Sequence, residues 1–117
     1  MNYKVLVTDE AIDDIFNLIR YIHTELCNPD AAEKLYYNLD REIKNMGDFP
    51  LKFSDSGIKY RGYTIHKKVF GSYLIFYIIS REKQEIYVLR VLKDLMDWQS
   101  ILGRTKLYHF TNYQKTP

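Results

Sequence analysis

The sequence predicts an α+β domain in which a helical hairpin packs on one face of an antiparallel sheet. Three observations support this class: an alternating N-terminal run, two segments with apolar residues three and four apart, and three strand-like runs after residue 60. The order strand, helix, helix, three strands, short helix predicts a three-strand meander. We expect such a sheet to be covered on one side, which leaves its other face for function.

The N-terminal half predicts one strand and two amphipathic helices. Residues 2–7 alternate weakly, as in a short strand, and Thr8 is an expected N-cap for the first helix. Asn28 and Pro29 are typical of a second helix start, and Gly47 of its end. The apolar residues at helical spacing are Ile12, Ile15, Phe16, Ile19, Ile22, Leu26, Ala32, Leu35, Tyr36, Leu39, Ile43 and Met46.

The C-terminal half predicts a loop and then the meander. Residues 48–59 are rich in turn formers, so we expect a mobile loop there. The strands are expected at residues 60–70, 73–80 and 85–92. Asp94 can cap a short last helix that ends at Gly103. This predicts one domain over residues 1–103 and a tail, residues 104–117, whose lack of a clear period is typical of partial disorder.

Length and composition limit the class of protein. A chain of 117 residues forms one domain, and a hydrophobic fraction of 46% is sufficient for a packed core. The longest apolar run, residues 73–79, has strand length, far below the ~20 residues of a membrane span, so we expect no membrane contact. The single cysteine, Cys27, excludes a disulfide within the chain and fits a reducing cytoplasm.

Charge is distributed unevenly along the sequence. Residues 1–50 hold 5 basic and 10 acidic side chains, a net charge of −5, and residues 51–117 hold 12 and 5, a net charge of +7. A basic half built mostly of sheet can attract polyanions or acidic protein segments. The alternative is that these cations are ordinary solvated surface.

Basic side chains on the meander form the candidate site. On its first strand, His66 and Lys68 point to one face and Lys67 to the other. His66 is the histidine best placed for acid–base chemistry, and Lys and Arg bind phosphate by charge. An ordinary wet strand face is the alternative interpretation. The full candidate set is Arg61, His66, Lys67, Lys68, Arg90 and Lys93.

Several other kinds of site are excluded by spacing. No pair of histidines has metal-ligand spacing, so no metal is expected. The sequence has no glycine-rich phosphate loop and no nucleophile elbow. We therefore expect no cofactor.

Short segments across the sequence resemble those of a known family. They are YLIFY at 73–77, VLRVLK at 88–93, DW at 97–98, PDAA at 29–32 and FP at 49–50. Together with the order of elements, they make the chain resemble the RelE/ParE superfamily of bacterial toxins over roughly residues 3–102.

The resemblance implies a toxin of a type II toxin–antitoxin pair. Such a toxin arrests growth, is neutralised by a cognate antitoxin, and contacts operator DNA only through that antitoxin. One branch of the superfamily cuts mRNA on the ribosome without a metal, and the other inhibits DNA gyrase. The alternatives are a degenerate, non-catalytic homologue that still binds the antitoxin and, third, a plain nucleic-acid-binding domain.

In the nuclease branch, the resemblance implies roles for individual residues. Paired basic residues precede the hairpin there, and Lys67 and Lys68 stand in that place. An arginine is common just after the turn, where this chain has Leu74. The catalytic roles would fall to His66, Lys68 and Lys93. The phosphate-binding roles would fall to Arg61, Lys67 and Arg90.

Overall fold

A computed structural model describes residues 2–48 and 54–111 of the protein as a five-stranded mixed sheet with helices on both faces. The elements in chain order are β1 (Lys4–Val7), α1 (Asp9–Arg20), a π-helical turn (Tyr21–Glu25), α2 (Pro29–Asn45), a 3-10 turn (Met46–Asp48), β2 (Ser54–Tyr60), β3 (Tyr63–Phe70), β4 (Tyr73–Ser80), β5 (Glu85–Lys93) and α3 (Trp98–Arg104).

The strand order in the sheet is β1-β5-β4-β3-β2. The strands β2 to β5 form an antiparallel meander, and β1 lies parallel to β5 with Val7 opposite Val88. The predicted α+β class, N-terminal strand, helical hairpin and short last helix are confirmed. The parallel pairing makes the sheet mixed, which local periodicity does not reveal.

Side-chain caps fix the N-termini of both helices of the hairpin as predicted. Thr8 accepts a hydrogen bond from the Ala11 amide at 2.9 Å, and Asn28 accepts one from Ala31 at 3.1 Å. Each cap satisfies an amide that has no partner within its helix. The first helix changes to a π-helical turn after Arg20, where one predicted helix continued to Leu26. Apolar spacing of three and four residues does not distinguish this wider turn from an α-helix.

The helical hairpin covers one face of the sheet and closes the first core. Ala11 and Leu39 of the helices are fully buried there against Ile75 of β4 and Val88 and Val91 of β5. Burying apolar area is the main favourable contribution to this packing. The remaining buried members of this core are Val7, Ile43, Met46, Tyr77 and Ile86.

The strand β2 lies where the sequence predicted a loop, so that prediction is wrong for residues 54–59. Gly57 has φ +86°, and the pairing with β3 shifts between Asp55 and Lys59. This irregularity breaks the two-residue alternation by which a strand is recognised. The remainder of the predicted loop includes residues 49–53, which lie outside the described residues.

A tight turn also divides the predicted strand over residues 60–70. Arg61 and Gly62 both have positive φ, 50° and 85°, and connect β2 to β3. Two positive φ values in a two-residue loop match the twist of the flanking strands. The first meander strand therefore begins at Tyr63.

The second face of the sheet carries its own core. The prediction that the sheet is covered on one face only is therefore wrong. Leu102 of α3 and Tyr108 beyond it are 3% and 5% exposed against this face. Asp97, and not Asp94, caps α3, and Leu95 is 88% exposed. The buried sheet residues of this second core are Ile65, Leu74, Phe76, Ile78, Leu89 and Leu92.

We predict that Leu102→Ala lowers the free energy of unfolding by ~2–4 kcal/mol, because it leaves a cavity in the second core. Leu95→Ala is the matched control and should change stability by less than ~0.5 kcal/mol. Urea denaturation followed by circular dichroism measures both. Equal stability of the two variants would contradict the packing of α3 on the sheet.

Candidate functional site

The predicted basic residues are divided between the two faces of the sheet. The His66 ring lies 5.5 Å from Tyr77 of the first core, on the face under the helical hairpin. Lys68 points to the same face and pairs with Glu42 of α2. Lys67 points to the opposite face. The predicted alternation of these three side chains therefore matches their contacts.

Lys68 forms a salt bridge with the acidic half of the chain. Its Nζ lies 3.1 Å from the Glu42 carboxylate, and the two side chains are 36% and 30% exposed. Partly exposed pairs of this kind contribute about 0–1 kcal/mol. The pair nevertheless offsets the positive charge that Lys68 was predicted to offer to a phosphate.

Lys67 contacts aromatic rings on the second face. Its Nζ lies 5.1 Å from the centre of the Trp98 ring, and that ring lies 5.2 Å from Phe76. Lys67 and Phe76 are also cross-strand partners. The lysine is thus engaged in a cation–π contact with the helix that covers this face.

His66 is a buried side chain, 9% exposed. Burial lowers its pKa, while a backbone hydrogen bond with Ser54 and the charge of Asp55 act in the opposite direction. Burial also raises the pKa of the neighbouring Tyr77 to about 12. At neutral pH the site therefore holds a neutral imidazole beside a protonated phenol, between the sheet and the helices.

Arg90 and Asp14 form a bidentate ion pair between β5 and α1. Both contacts, from Nε and from a terminal guanidinium nitrogen to the two carboxylate oxygens, measure 2.7 Å. The Val91 amide donates to the same carboxylate at 3.0 Å. Burial raises the pKa of Asp14 against the opposing effect of these bonds, and the bond to Asp14 raises the pKa of Arg90.

Arg61 and Lys93 lie at opposite ends of the sheet. Arg61 precedes β3, and its guanidinium lies 5.6 Å from the Tyr60 ring centre. Lys93 is exposed and pairs in register with Tyr73, at the end where β3 finishes. The eight residues of β3 separate these ends by roughly 24 Å at the usual rise of a strand. The six candidate residues are therefore not brought together at one point.

An apolar groove lies between α1 and α2, and the sequence prediction did not include it. Phe16 and Tyr36 are 51% and 40% exposed at this groove, although their spacing predicted core positions. Its cavity volume is about 90 Å³. The sequence signal for this groove is the aromatic residues on the predicted apolar stripe of each helix. Only the packing of the helices shows which part of that stripe stays exposed. The other lining residues are Val7, Ile12, Ile15, Asp40 and Ile43.

The groove lies in the acidic part of the chain. Residues 8–48 contain 10 acidic and 4 basic side chains, a net charge of −6. Asp40 lines the groove itself and pairs with Lys44 at 2.9 Å on the exposed side of α2. An apolar surface with an acidic surround favours a partner with an apolar side chain flanked by cations.

The described residues hold neither a metal-binding cluster nor a membrane-spanning helix. Over residues 2–48 and 54–111, no group of three or more His, Cys, Asp or Glu side chains could hold a metal ion. In the same part of the chain, no helix has both the length and the apolar character needed to cross a membrane.

A family comparison identifies the class of protein. The sequence model of the family described as ParE toxin of type II toxin-antitoxin system, parDE, matches residues 5–98. The chain belongs to this toxin family. No curated protein gives a significant sequence match.

Solved structures of similar fold include a free toxin and toxin–antitoxin assemblies. The ParDE toxin–antitoxin system of Pseudomonas aeruginosa aligns with a TM-score of 0.63 and 14% identity over 78% of this chain and 95% of that chain. The RelBE2 complex of Mycobacterium tuberculosis aligns with a TM-score of 0.59 and 17% identity, over 80% of this chain and 99% of that chain. A double mutant of Escherichia coli RelE in the free state aligns with a TM-score of 0.57 and 17% identity, over 87% of this chain and 94% of that chain. At these identities the likeness establishes the RelE/ParE-like fold.

We predict that Asp14→Ala lowers the free energy of unfolding by ~3 kcal/mol, because it leaves the Arg90 guanidinium partly buried without its carboxylate. Asp13→Ala is the matched control, since Asp13 is the exposed neighbour on the same helix. Equilibrium denaturation of both variants gives the difference. Equal stability of the two variants would show that the pair does not hold α1 to the sheet.

Proposed function

We propose that this ParE-family toxin arrests growth by inhibiting DNA gyrase and not by cutting mRNA. The observation that carries the proposal is the separation of the residues that RNA cleavage would require at one phosphate. His66 and Lys67 point to opposite faces of the sheet, and Arg61 and Lys93 lie at opposite ends.

Cleavage by attack of a 2′-hydroxyl group requires a base, an acid and a cation around the same phosphate. Each of these groups increases the cleavage rate on the order of 10²-fold or more, and only when it lies within hydrogen-bonding distance of the reacting atoms. Three of the candidates are already engaged: Lys68 with Glu42, Arg90 with Asp14 and Lys67 with Trp98. Gyrase inhibition needs a binding surface and no reacting group, which agrees with this arrangement.

We predict that the triple variant Lys67→Ala, Lys68→Ala, Lys93→Ala still arrests growth when it is expressed without an antitoxin. Its stability should fall by less than ~1 kcal/mol, because the salt bridge between Lys68 and Glu42, which it removes, is partly exposed. Colony counts after induction, together with a supercoiling assay on purified protein and mapping of mRNA 5′ ends, measure the effect.

The wild-type protein is expected to block supercoiling and to leave mRNA intact. New 5′ ends at fixed codon positions, lost in the triple variant, would overturn the proposal in favour of the ribosome-dependent nuclease. Neither effect, with soluble and folded protein, would favour the degenerate antitoxin-binding homologue.

For the partner, we propose that the cognate antitoxin neutralises the toxin through the groove between α1 and α2. Charge complementarity supports this surface, because the net charge of −6 around an apolar cavity fits an antitoxin segment with an apolar anchor and flanking cations. The Pseudomonas and Mycobacterium relatives are themselves toxin–antitoxin systems. Operator DNA would be contacted only through the antitoxin, and the pair would act in the cytoplasm without membrane contact.

We predict that Phe16→Ala and Tyr36→Ala each weaken antitoxin binding by about 10-fold or more, because each removes a half-exposed wall of the groove. Leu26→Ala, an equally exposed apolar residue outside the groove, is the control. Calorimetric titration with the purified antitoxin gives the affinities. Unchanged binding by both groove variants would place the antitoxin elsewhere.

A further inference from the structure

The C-terminal strap, defined as residues 108–111, lies beyond the part of the chain matched by the toxin family. Its side chains alternate between two receiving surfaces. Tyr108 is 5% exposed in the second core, and the Phe110 ring lies 5.4 Å from that of Tyr87 on β5. His109 and Thr111 point the other way, toward α1. The strap therefore lies in an extended form across the edge between helix and sheet.

The first turn of α1 binds the strap through two carboxylates and one amide. Glu10 accepts bonds from the His109 amide at 3.0 Å and contacts its Nδ1 at 2.6 Å. Asp9 accepts bonds from the Thr111 amide at 3.0 Å and its hydroxyl at 2.8 Å. The Asp9 amide donates to the His109 carbonyl at 2.7 Å. Both main-chain and side-chain groups of the strap are therefore recognised.

The combination of main-chain hydrogen bonds and alternating side-chain contacts is typical of the way proteins bind extended peptides. Main-chain hydrogen bonds supply affinity, and pockets for alternate side chains supply specificity. Here the aromatic side chains of Tyr108 and Phe110 are two residues apart, as an extended chain requires to place both on one side. The polar contacts lie at the surface, where His109 is 56% exposed. Such contacts open at a low free-energy cost compared with global unfolding.

We propose that the first turn of α1 and the adjacent face of β5 form a binding site for an extended peptide with aromatic residues two apart. Residues 108–111 occupy this site within the same chain as a releasable strap, and the charge of His109 sets how tightly they are held. The inference does not depend on which target the toxin inhibits.

The charges around His109 determine the direction of its effect. The hydrogen bond to Glu10, and then the charges of Glu10 and Asp9, raise the pKa of His109. Arg90 of β5 faces Glu10 from the sheet, and Asp14 and the Tyr108 phenol complete the group. Because the folded pKa is raised, the contribution of the ion pair is present below the unfolded value of about 6.5 and is lost as pH rises through the folded pKa.

The primary test is amide hydrogen exchange of the whole chain, measured by NMR at His109 and Thr111. Wild-type protection should fall as pH rises from about 5.5 to about 8.5, after correction for intrinsic exchange. In Glu10→Gln, the His109 and Thr111 amides should exchange ~2–5-fold faster than in the wild type at about pH 5.5. Their protection should depend little on pH, because the substitution removes the charge that pairs with His109. Glu33→Gln, an exposed acidic residue on α2, should match the wild type.

A second measurement tests the site with a peptide supplied separately. A labelled peptide with the sequence of residues 105–111 is titrated into the wild-type chain and into His109→Ala, Phe110→Ala, which weakens the strap without altering the receiving residues. The peptide should bind the variant at least ~10-fold tighter, because the competing strap is displaced more often. Unprotected His109 and Thr111 amides in the wild type, or equal peptide affinity in a folded variant, would overturn the proposal.

Discussion

The Asp14 carboxylate joins the helical hairpin to the sheet, and both proposed binding surfaces depend on where it holds α1. It accepts two bonds from Arg90 and one from the Val91 amide, beyond the short span in which β1 pairs with β5. Thr8 extends the same connection, since its hydroxyl donates to the Leu89 carbonyl at 2.8 Å. Helix α1 thus occupies the position that a longer edge strand would take and satisfies the polar groups of β5 there.

This anchorage orients two sides of one helix. The side that includes Ile12, Ile15 and Phe16 forms a wall of the groove with α2. The first turn presents Asp9 and Glu10 to the C-terminal strap. A displacement of α1 would therefore change both surfaces together, because one rigid helix carries them.

Part of the charge separation along the sequence is used within the fold. Within residues 2–48 and 54–111, three ion pairs connect the acidic first half to the basic second half: Lys68 with Glu42, Arg90 with Asp14, and His109 with Glu10. Each of them reduces the positive field that the sheet was predicted to present to a polyanion. Several acidic side chains of the hairpin, including Asp13 and Glu33, stay exposed. The hairpin therefore keeps an acidic surface that suits a protein partner with cations, while cations such as Arg81 and Lys93 stay exposed elsewhere on the domain.

Local signals in the sequence predicted local structure well. The caps at Thr8 and Asn28, the β3–β4 turn and the central, fully apolar β4 follow from a few neighbouring residues. The alternation of His66, Lys67 and Lys68 was also predictable, because a strand has a two-residue period. Features that depend on distant pairing were not: the irregular strand β2, the parallel position of β1 and the closure of the second face by Leu102 and Tyr108.

The candidate site could not be predicted reliably, because it depends on contacts between residues that are distant in the sequence. Arg90 has the charge expected of a phosphate ligand, but its partner is 76 residues away in the sequence. The pairing of β4 with β5 shifts between Phe76 and Tyr77, next to the position opposite Arg90, so simple alternation does not determine where this arginine points. A cation in a basic segment is therefore weak evidence for a ligand site until its acidic neighbours are known. In this toxin those neighbours come from the helical hairpin, and the same hairpin carries the exposed apolar groove.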